Sequence, residues 1–321
     1  SADYTGDSRS SAIYSNGDSI APGATPGDTG VIFSTGRANE YTNSSGQANQ
    51  DTDQSRNTGG EDNNSDFNAA AGANTFDASY LDVSFIPDSG IMTMQFIFSS
   101  EEYPEFQNSV YQDFVGVWVN GVQVDLAIGN GDADPGNVNP TNNENLYLDN
   151  SDDAYNTEMD GLTVTMTLTM VVNPGEVNTI RIGIADVADS SYDSNLLIAG
   201  NSAQADLVAV EDSTYLDPNG TKTIDVLAND VDASGSTLTI THVNGVAVST
   251  GSIVTLNTGQ TVQLNADGTL TLTGDGDADE FNFTYTATNG DNSDTGLVNV
   301  SSIPCFVAGS LIRTPYGEVT V

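Results

Sequence analysis

Two consecutive glutamates follow a stretch of chain that is apolar on both faces. Glu101 and Glu102 follow residues 91–98, an alternating strand-like run, after two serines, and Asp113 comes soon afterwards. Carboxylates this close to a buried strand are costly unless a cation or hydrogen-bond donors satisfy them. Oxygen-rich loops suit Ca²⁺, which takes roughly six to eight oxygen ligands in flexible geometry. The pattern indicates a calcium site, and a solvated acidic turn is the alternative.

A second acidic segment follows another alternating run, residues 180–184. It carries Asp186, Asp189 and Asp193. Aspartates at this spacing are common in exposed loops. The spacing alone therefore does not distinguish metal ligands from solvated side chains.

A third group consists of Asp275, Asp277 and Asp279, whose spacing suggests an EF-hand. That motif requires Gly at its sixth position and Glu at its twelfth, where this chain has Glu280 and Thr286. An EF-hand is excluded, and a different calcium site or a charged hairpin loop both remain open.

Conventional enzyme chemistry has little support in the sequence. The sole histidine, His242, lies in an alternating strand-like segment, and there is no His/Cys cluster for zinc. A glycan-active enzyme with paired carboxylates remains an alternative because Glu101, Glu102 and Glu105 lie close together in the chain.

The net charge limits the partners. The 321 residues include 45 acidic and only 6 basic side chains, for a formal charge of −39. Such a surface repels the phosphates of nucleic acids and anionic lipid headgroups, so neither is an expected partner. The same charge opposes compact folding unless divalent cations or concentrated salt offset it. We therefore expect a secreted or cell-surface location, or a saline habitat.

Export is also consistent with the chain's other features. No apolar run approaches the roughly 20 residues that span a bilayer, which predicts no membrane insertion. The chain begins at Ser1 without a signal-like segment, as a processed or truncated export product would. Its single cysteine, Cys305, cannot form a disulfide within the chain.

The alternating segments predict an all-β protein with little helix. Residues 162–170 place apolar side chains opposite threonines, which predicts a half-buried strand with a solvated threonine face. Residues 120–160 are acidic and rich in Asn, and we expect them to form a mostly exposed excursion. From about residue 205 the strands become short and evenly spaced, which is typical of an Ig-like sandwich.

Several segments together resemble the bacterial choice-of-anchor L domain. The matching pieces are GVIFSTG (30–36), FDASYLDVSFIP (76–87), FIFSSEEYPEF (96–106), YQDFVGVWVNG (111–121), DGLTVTMTLTMVVNPGE (160–176) and IRIGIADVADSSYDSNLLIAG (180–200). The resemblance implies an extracellular β-rich domain whose biochemical role is poorly defined. Gln112 stands where the family tends to carry Asn, which argues against a ligand role at that position. The resemblance as a whole supports a predicted set of calcium ligands: Glu101, Glu102, Asp113, Asp186, Asp189 and Asp193.

The later segments DVLANDVD (225–232), NADGTLTL (265–272) and FTYTA (283–287) resemble bacterial cadherin-like repeats. Such modules are spacers that often carry calcium at their junctions. The resemblance therefore implies Asp230 and Asp232 as further calcium ligands.

The final segment, CFVAGSLIRTPYG (305–317), looks like the opening of a Hint domain, the self-processing module of inteins and hedgehog proteins. In that family the first cysteine, here Cys305, attacks the preceding carbonyl, here that of Pro304. Since the downstream His and Asn of the family do not appear, Cys305 is expected to act only in a longer protein.

The predicted organisation is a jelly-roll-like β-sandwich with long acidic loops over residues 1–203, a smaller Ig-like or cadherin-like sandwich over 204–303, and the start of a Hint domain over 304–321. The predicted function is a secreted or cell-surface, calcium-binding structural or adhesive protein. Its partners would be a surface, a glycan or a sister subunit, and filament formation is conceivable for a sandwich with exposed edge strands. The alternatives are the cargo of a self-processing Hint protein and the glycan-active enzyme.

Overall fold

The structure, a computed structural model, describes residues 1–43, 46–303, 311–314 and 317–320. Strands dominate, and the all-β prediction is confirmed. The helices are short: α1 (Gly17–Ile20), α2 (Ser65–Ala71) and the 3₁₀ turns η1 (Ala38–Glu40) and η2 (Glu144–Leu146). The Asn64 side chain caps α2 by accepting hydrogen bonds from the amides of Asp66 and Phe67, which satisfies donors that a helix start leaves free.

The first unit contains twelve strands in chain order. They are β1 (Ala2–Thr5), β2 (Ser11–Ser15), β3 (Thr29–Ser34), β4 (Thr75–Phe85), β5 (Ile91–Ser100), β6 (Phe114–Val119), β7 (Val122–Gln123), β8 (Tyr147–Asp149), β9 (Gly161–Thr163), β10 (Met166–Val171), β11 (Asn178–Val187) and β12 (Ser194–Ala199).

These strands form two sheets that enclose the main core. One sheet has the order β1-β4-β11-β6-β7, and the other has the order β2-β3-β12-β5-β9-β8, with β10 also paired to β5. Phe96 and Phe98 of β5 point into the core between the sheets, whereas Ile97 packs on the outer face with Tyr41 and Met159. Both faces of β5 are therefore buried, as its composition predicts.

The threonine-rich segment, which is divided between β9 and β10, follows its predicted pattern in part. Met166, Leu168 and Met170 of β10 are buried, while Thr169 is exposed. Since side chains alternate between the faces of a strand, the apolar set reaches the core and Thr169 faces outward. The rest of the predicted threonine face is not solvated: Thr163 is buried in β9, and the Thr167 hydroxyl donates to Asp294 of the second unit at 3.2 Å.

The expectation for residues 120–160 is wrong. Ile128, Val138 and Leu146 from this segment are buried in the main core. The hydroxyl of Tyr103, itself fully buried, donates to the carbonyl of Val138 at 2.6 Å. The few apolar residues dispersed among the acidic and amide side chains therefore anchor this segment.

The second unit adds eleven strands: β13 (Leu207–Val208), β14 (Asp212–Tyr215), β15 (Thr221–Ile224), β16 (Val231–Asp232), β17 (Thr239–Val243), β18 (Val246–Ala247), β19 (Ile253–Thr255), β20 (Thr261–Leu264), β21 (Leu270–Thr273), β22 (Glu280–Thr288) and β23 (Ser293–Ser301). Its sheets have the orders β14-β23-β22-β17-β18 and β15-β21-β20-β19, and β13 pairs with β16. Phe283, Tyr285, Val262 and Leu272 belong to the core of this unit. Beyond it, β24 (Leu311–Thr314) and β25 (Gly317–Thr320) pair antiparallel.

Asn145, in η2, joins the two units. Its amide group donates to the Thr258 hydroxyl and to the Asn282 carbonyl, both at 2.9 Å, and its oxygen accepts from the Thr258 amide at 3.0 Å. Only 1% of Asn145 is exposed. The segment around it therefore contributes both to the first core and to the contact with the second unit.

Candidate metal centre

Several strands of the first unit end or begin at one end of the sandwich. In one sheet β12 begins beside the end of β5, where Ser194 pairs with Ser100. In the other sheet Ala185, near the end of β11, pairs with Phe114 at the start of β6. The acidic residues that follow or precede these points are therefore brought together from distant parts of the sequence.

Three carboxylates lie between the sheets at this end. Glu102, Asp113 and Asp186 are each at most 3% exposed. The Val187 amide donates to Asp113 Oδ1 at 3.2 Å, but the other Asp113 oxygen, Glu102 Oε2 and Asp186 Oδ1 have no hydrogen-bond partner. The sequence-predicted ligands Glu102, Asp113 and Asp186 thus form one buried cluster.

The electrostatics of this cluster follow from burial and mutual repulsion. Burial raises the pKa of Asp113 to about 8, despite hydrogen bonds that lower it. Burial, reinforced by the charge of Asp113, raises the pKa of Glu102 to about 10 and that of Asp186 well above its ordinary value. The anionic forms are disfavoured because no positive charge compensates them.

Glu101 belongs to different surroundings. It is 1% exposed, and neither carboxylate oxygen has a hydrogen-bond partner. Its pKa is raised to about 10, first by burial and next by the charge of Asp160, with smaller effects from Asp193 and Asp51. The structure therefore separates Glu101 from the cluster of its neighbour Glu102.

Asp193 lies at the start of β12 and is already hydrogen-bonded. Its oxygens accept from the Arg56 amide at 2.7 Å and from the Gln54 side chain at 3.4 Å. Burial still raises its pKa to about 6. A Cβ on Gly36 would stand 1.9 Å from Asp193 Oδ2, so this close approach requires glycine.

Asp189 lies at the rim. It is partly exposed and accepts from the Ser191 amide at 2.9 Å. Its charge contributes to the raised pKa of Glu102. Asp189 is therefore close enough to influence the buried cluster without being buried in it.

Four of the arginines form ion pairs elsewhere. The ion pairs found among the described residues join Arg9 to Asp7, Arg37 to Glu40, Arg56 to Glu40 and Asp51, and Arg181 to Asp66 and Asp82. Across the same part of the chain, no three or more His, Cys, Asp or Glu side chains already stand in an arrangement that holds a metal ion. The buried carboxylates of Glu102, Asp113 and Asp186 thus have neither a basic partner nor a preformed metal coordination shell.

The two ligands predicted in the second unit have different surroundings. Asp230 accepts from the Val210 amide and the Tyr285 hydroxyl, both at 2.8 Å, and its other oxygen is buried without a partner. Asp232 accepts from Ser234, Ser236 and Asn289, so its oxygens organise a turn. Asp230 therefore keeps one oxygen free to accept, whereas both oxygens of Asp232 already accept hydrogen bonds.

Other sequence candidates have structural surroundings of their own. Gln112 donates to the carbonyls of Gln107 and Ser109, both at 3.0 Å, and thereby closes its loop. Asp275 and Asp279 both accept from Gln260. Cys305 and Pro304 lie outside the described residues, so the autoprocessing nucleophile stays a prediction.

Sequence reasoning missed three polar residues with unusual surroundings. Asp160 and Asn49 lie near Glu101 but far from it in sequence, and Asp212 has a buried oxygen without a partner close to Asp230. Asp160 precedes Gly161, which pairs with Ser100, so knowledge of the strand register would have placed it beside Glu101. No local pattern marks Asn49.

Within the part of the chain that is described, no helix has the length and apolar character needed to cross a membrane.

Comparison with known proteins gives two family matches. The Choice-of-anchor L domain family matches residues 2–204, and the Bacterial Ig domain family matches residues 201–301. No curated protein matches the chain. Among solved structures, the full-length major pilin RrgB from Streptococcus pneumoniae aligns at 13% identity with a TM-score of 0.19, over 73% of this chain and 37% of the pilin chain. The chain thus spans little more than a third of that pilin's length.

Neither family match extends into the segment that resembles a Hint domain. Both matched families consist of non-enzymatic surface domains, which argues against the glycan-active enzyme. The first match covers well over half of the chain and contains every residue of the buried carboxylate clusters. The chain therefore belongs to the Choice-of-anchor L domain family and is a surface or secreted structural or adhesive protein that continues into a bacterial Ig domain.

Proposed function

We propose that this protein is a calcium-dependent surface adhesin in which Ca²⁺, bound by Glu102, Asp113 and Asp186, ties the two sheets of the first unit together at one end. The observation that carries the proposal is the burial of three carboxylates that each keep an unpartnered oxygen. A buried anion without a partner is costly, and a cation that several such groups share removes the cost.

The donor set favours Ca²⁺ over other metals. Every candidate ligand is oxygen, which suits a hard cation, and the chain offers no His/Cys cluster for zinc. Because the carboxylates repel one another when no cation is present, we expect their side chains to rotate towards the ion on binding. Asp189 at the rim and main-chain oxygens would supply further ligands.

Calcium at this position would stiffen the loops that begin and end there. Rigid loops bind a partner better because they lose less conformational entropy on association. The partner would be a surface, a glycan or a second copy of the chain. Its recognition would not depend on basic side chains, since the protein has so few.

The direct test is removal of calcium. The protein is dialysed against a chelator, and its melting temperature and protease resistance are compared with and without added CaCl₂. We expect calcium to raise both. A matched NaCl series at equal ionic strength separates a bound ion from screening, because screening acts through ionic strength alone. Identical behaviour with and without calcium would overturn the proposal.

Self-association is a separate question that light scattering answers. If the calcium-stiffened loops bind a sister subunit, scattering from the concentrated protein increases when CaCl₂ is added and decreases when the chelator is added. Unchanged scattering, combined with calcium-dependent melting, would direct the search to glycans and other surfaces.

A further inference from the structure

Glu101 belongs to a second polar cluster, which forms where the end of β5 lies beside the start of β9. Ile97 of β5, four residues before Glu101, packs on the outer face of the seven-stranded sheet with Tyr41 and Met159. Phe98 faces the opposite way, into the main core. Both glutamates lie in the turn that follows β5. The pairing of Ser100 with Gly161 brings Asp160 beside Glu101, whereas Asp113 is the main charged neighbour of Glu102, so the fold divides the two glutamates between two sites.

The second cluster is built from segments distant in sequence. Asp160 is the charged neighbour that acts most strongly on Glu101. The Asn49 side chain donates to Asp160 Oδ1 at 2.6 Å. Asn49 is 6% exposed and takes the left-handed backbone conformation, with φ of 40°. Three side chains from the loop after η1, the end of β5 and the start of β9 therefore meet here.

Buried oxygens without partners converge on this point. Both carboxylate oxygens of Glu101 lack a hydrogen-bond partner, and so does Asn49 Oδ1. On the same face of the sheet, Asn195 pairs with Ser99, and Asn195 Oδ1 and Ser99 Oγ are also buried without partners. Such groups are rarely left unsatisfied in native proteins, so a bound ion or ordered water has to satisfy them.

The nearby carboxylate of Glu158, unlike that of Glu101, has its hydrogen-bond acceptors satisfied. Glu158 is 3% exposed and accepts from the amides of Gln50 and Asp51, both at 2.8 Å, and from the side chain of Asn43. Glu158 thus fastens the loop that carries Asn49. The guanidinium of Arg56, farther along the same loop, forms ion pairs with Glu40 and Asp51.

We infer that Glu101, Asp160 and Asn49 bind a second Ca²⁺, separate from the ion at Glu102, Asp113 and Asp186, and that this ion fastens the loop around Asn49 to the outer face of the sheet. The ligands are two carboxylates and an amide oxygen, a mixture that Ca²⁺ favours. Asn195 and Ser99, paired on the neighbouring part of the sheet, each keep an unpartnered oxygen. The identity of the cation rests on the proposed function, whereas the separation of the two sites rests on the pairing of Ser100 with Gly161 and on the hydrogen bond from Asn49 to Asp160.

The test counts calcium ions in variants of the whole chain. Isothermal titration calorimetry of the chelator-treated protein with CaCl₂ is run on the wild type, Glu101→Gln, Asp160→Asn and Glu102→Gln. Glu176→Gln, an exposed glutamate in the loop before β11, is the matched control. Circular dichroism verifies folding. Asp160→Asn serves as the second variant because Asp160 is only half-buried and Asn keeps an acceptor for Asn49.

The expected result is two ions in the wild type and in the control. Glu101→Gln and Asp160→Asn should weaken one site by at least about tenfold and leave the other unchanged, and Glu102→Gln should do the reverse. Hydrogen exchange read by mass spectrometry should show lost protection around residues 46–56 in Asp160→Asn, but not around residues 185–194.

The outcomes distinguish the two ideas. A wild type that binds no calcium would overturn the proposed function and this inference together. A wild type that binds one ion, lost in both Glu101→Gln and Glu102→Gln, would support the proposed function and overturn the second site. Binding of two ions by Glu101→Gln and Asp160→Asn, with the affinities of the wild type, would also overturn the second site.

Discussion

Glu101 and Glu102 are consecutive residues whose carboxylates have different charged neighbours. Asp160 acts most strongly on Glu101, and Asp113 acts most strongly on Glu102. Both glutamates are 1% exposed, and no basic side chain among the described residues pairs with either. One acidic dipeptide therefore contributes to two separate buried clusters.

Glu102→Gln should change stability in opposite directions with and without calcium. In chelator near neutral pH the substitution removes the cost of burying a carboxyl group that must take up a proton on folding, so the free energy of unfolding should rise by about 1–3 kcal/mol. In saturating calcium it removes a ligand, so the stabilisation by calcium should decrease. Urea unfolding in both buffers measures the two effects, and Glu176→Gln should change neither. A shift of the same sign in both buffers would contradict a calcium role for Glu102.

Tyr103→Phe should loosen the segment of residues 120–160. The substitution removes the hydroxyl that donates to the Val138 carbonyl at 2.6 Å and keeps the ring in the core. Loss of this buried hydrogen bond should lower the free energy of unfolding by about 1–2 kcal/mol. Limited proteolysis should then cleave this segment faster than in the wild type. Unchanged cleavage would mean that its apolar anchors alone hold the segment.

Asn145→Ala should weaken the contact between the two units. It leaves the Thr258 amide and the Asn282 carbonyl without their partner, at a cost of about 1–3 kcal/mol. Differential scanning calorimetry should show the two units unfolding less cooperatively, as separate transitions. The exposed Asn142→Ala is the control within the same segment. A single unchanged transition would show that the units are coupled by other contacts.

Asp294 should make stability depend on pH. It is fully buried in the second unit and accepts from the Ala209 amide at 3.0 Å and the Thr167 hydroxyl at 3.2 Å. Burial raises its pKa from 3.8 to about 6. The folded state therefore holds its proton more tightly than the unfolded state does. The stability that its proton contributes to the folded state is complete below pH 3.8 and is lost as the pH rises through about 6.

Asp294→Asn should remove this dependence, because an amide does not titrate in this range and can still accept from the Ala209 amide. Urea unfolding of both proteins is measured in calcium-free buffer from pH 3.5 to 7. The stability of the wild type relative to the variant should fall by up to about 3 kcal/mol across that window. A constant difference would mean that Asp294 has an ordinary pKa in the folded protein.

The local patterns of the sequence were sufficient to predict the strands and much of their burial. Alternation with a period of two depends only on neighbouring residues, so the two buried faces of β5 and the buried apolar face of β10 could be derived without the fold. The same reasoning placed Glu101, Glu102, Asp113 and Asp186 at strand ends, where buried carboxylates need a partner. The Ig-like spacing of the second unit was readable for the same reason.

The pairing of those carboxylates depended on the tertiary structure. Asp160 reaches Glu101 because Ser100 pairs with Gly161, and Asn49 reaches Asp160 through a loop about a hundred residues away in the chain. Residues 120–160 are buried because a few dispersed apolar side chains find the core, although the segment's average composition is polar. Register and loop packing are set by contacts between distant residues, so no local pattern encodes them. The local pattern could show that Glu101 and Glu102 follow a buried strand, but only the folded chain determined which groups meet each of them.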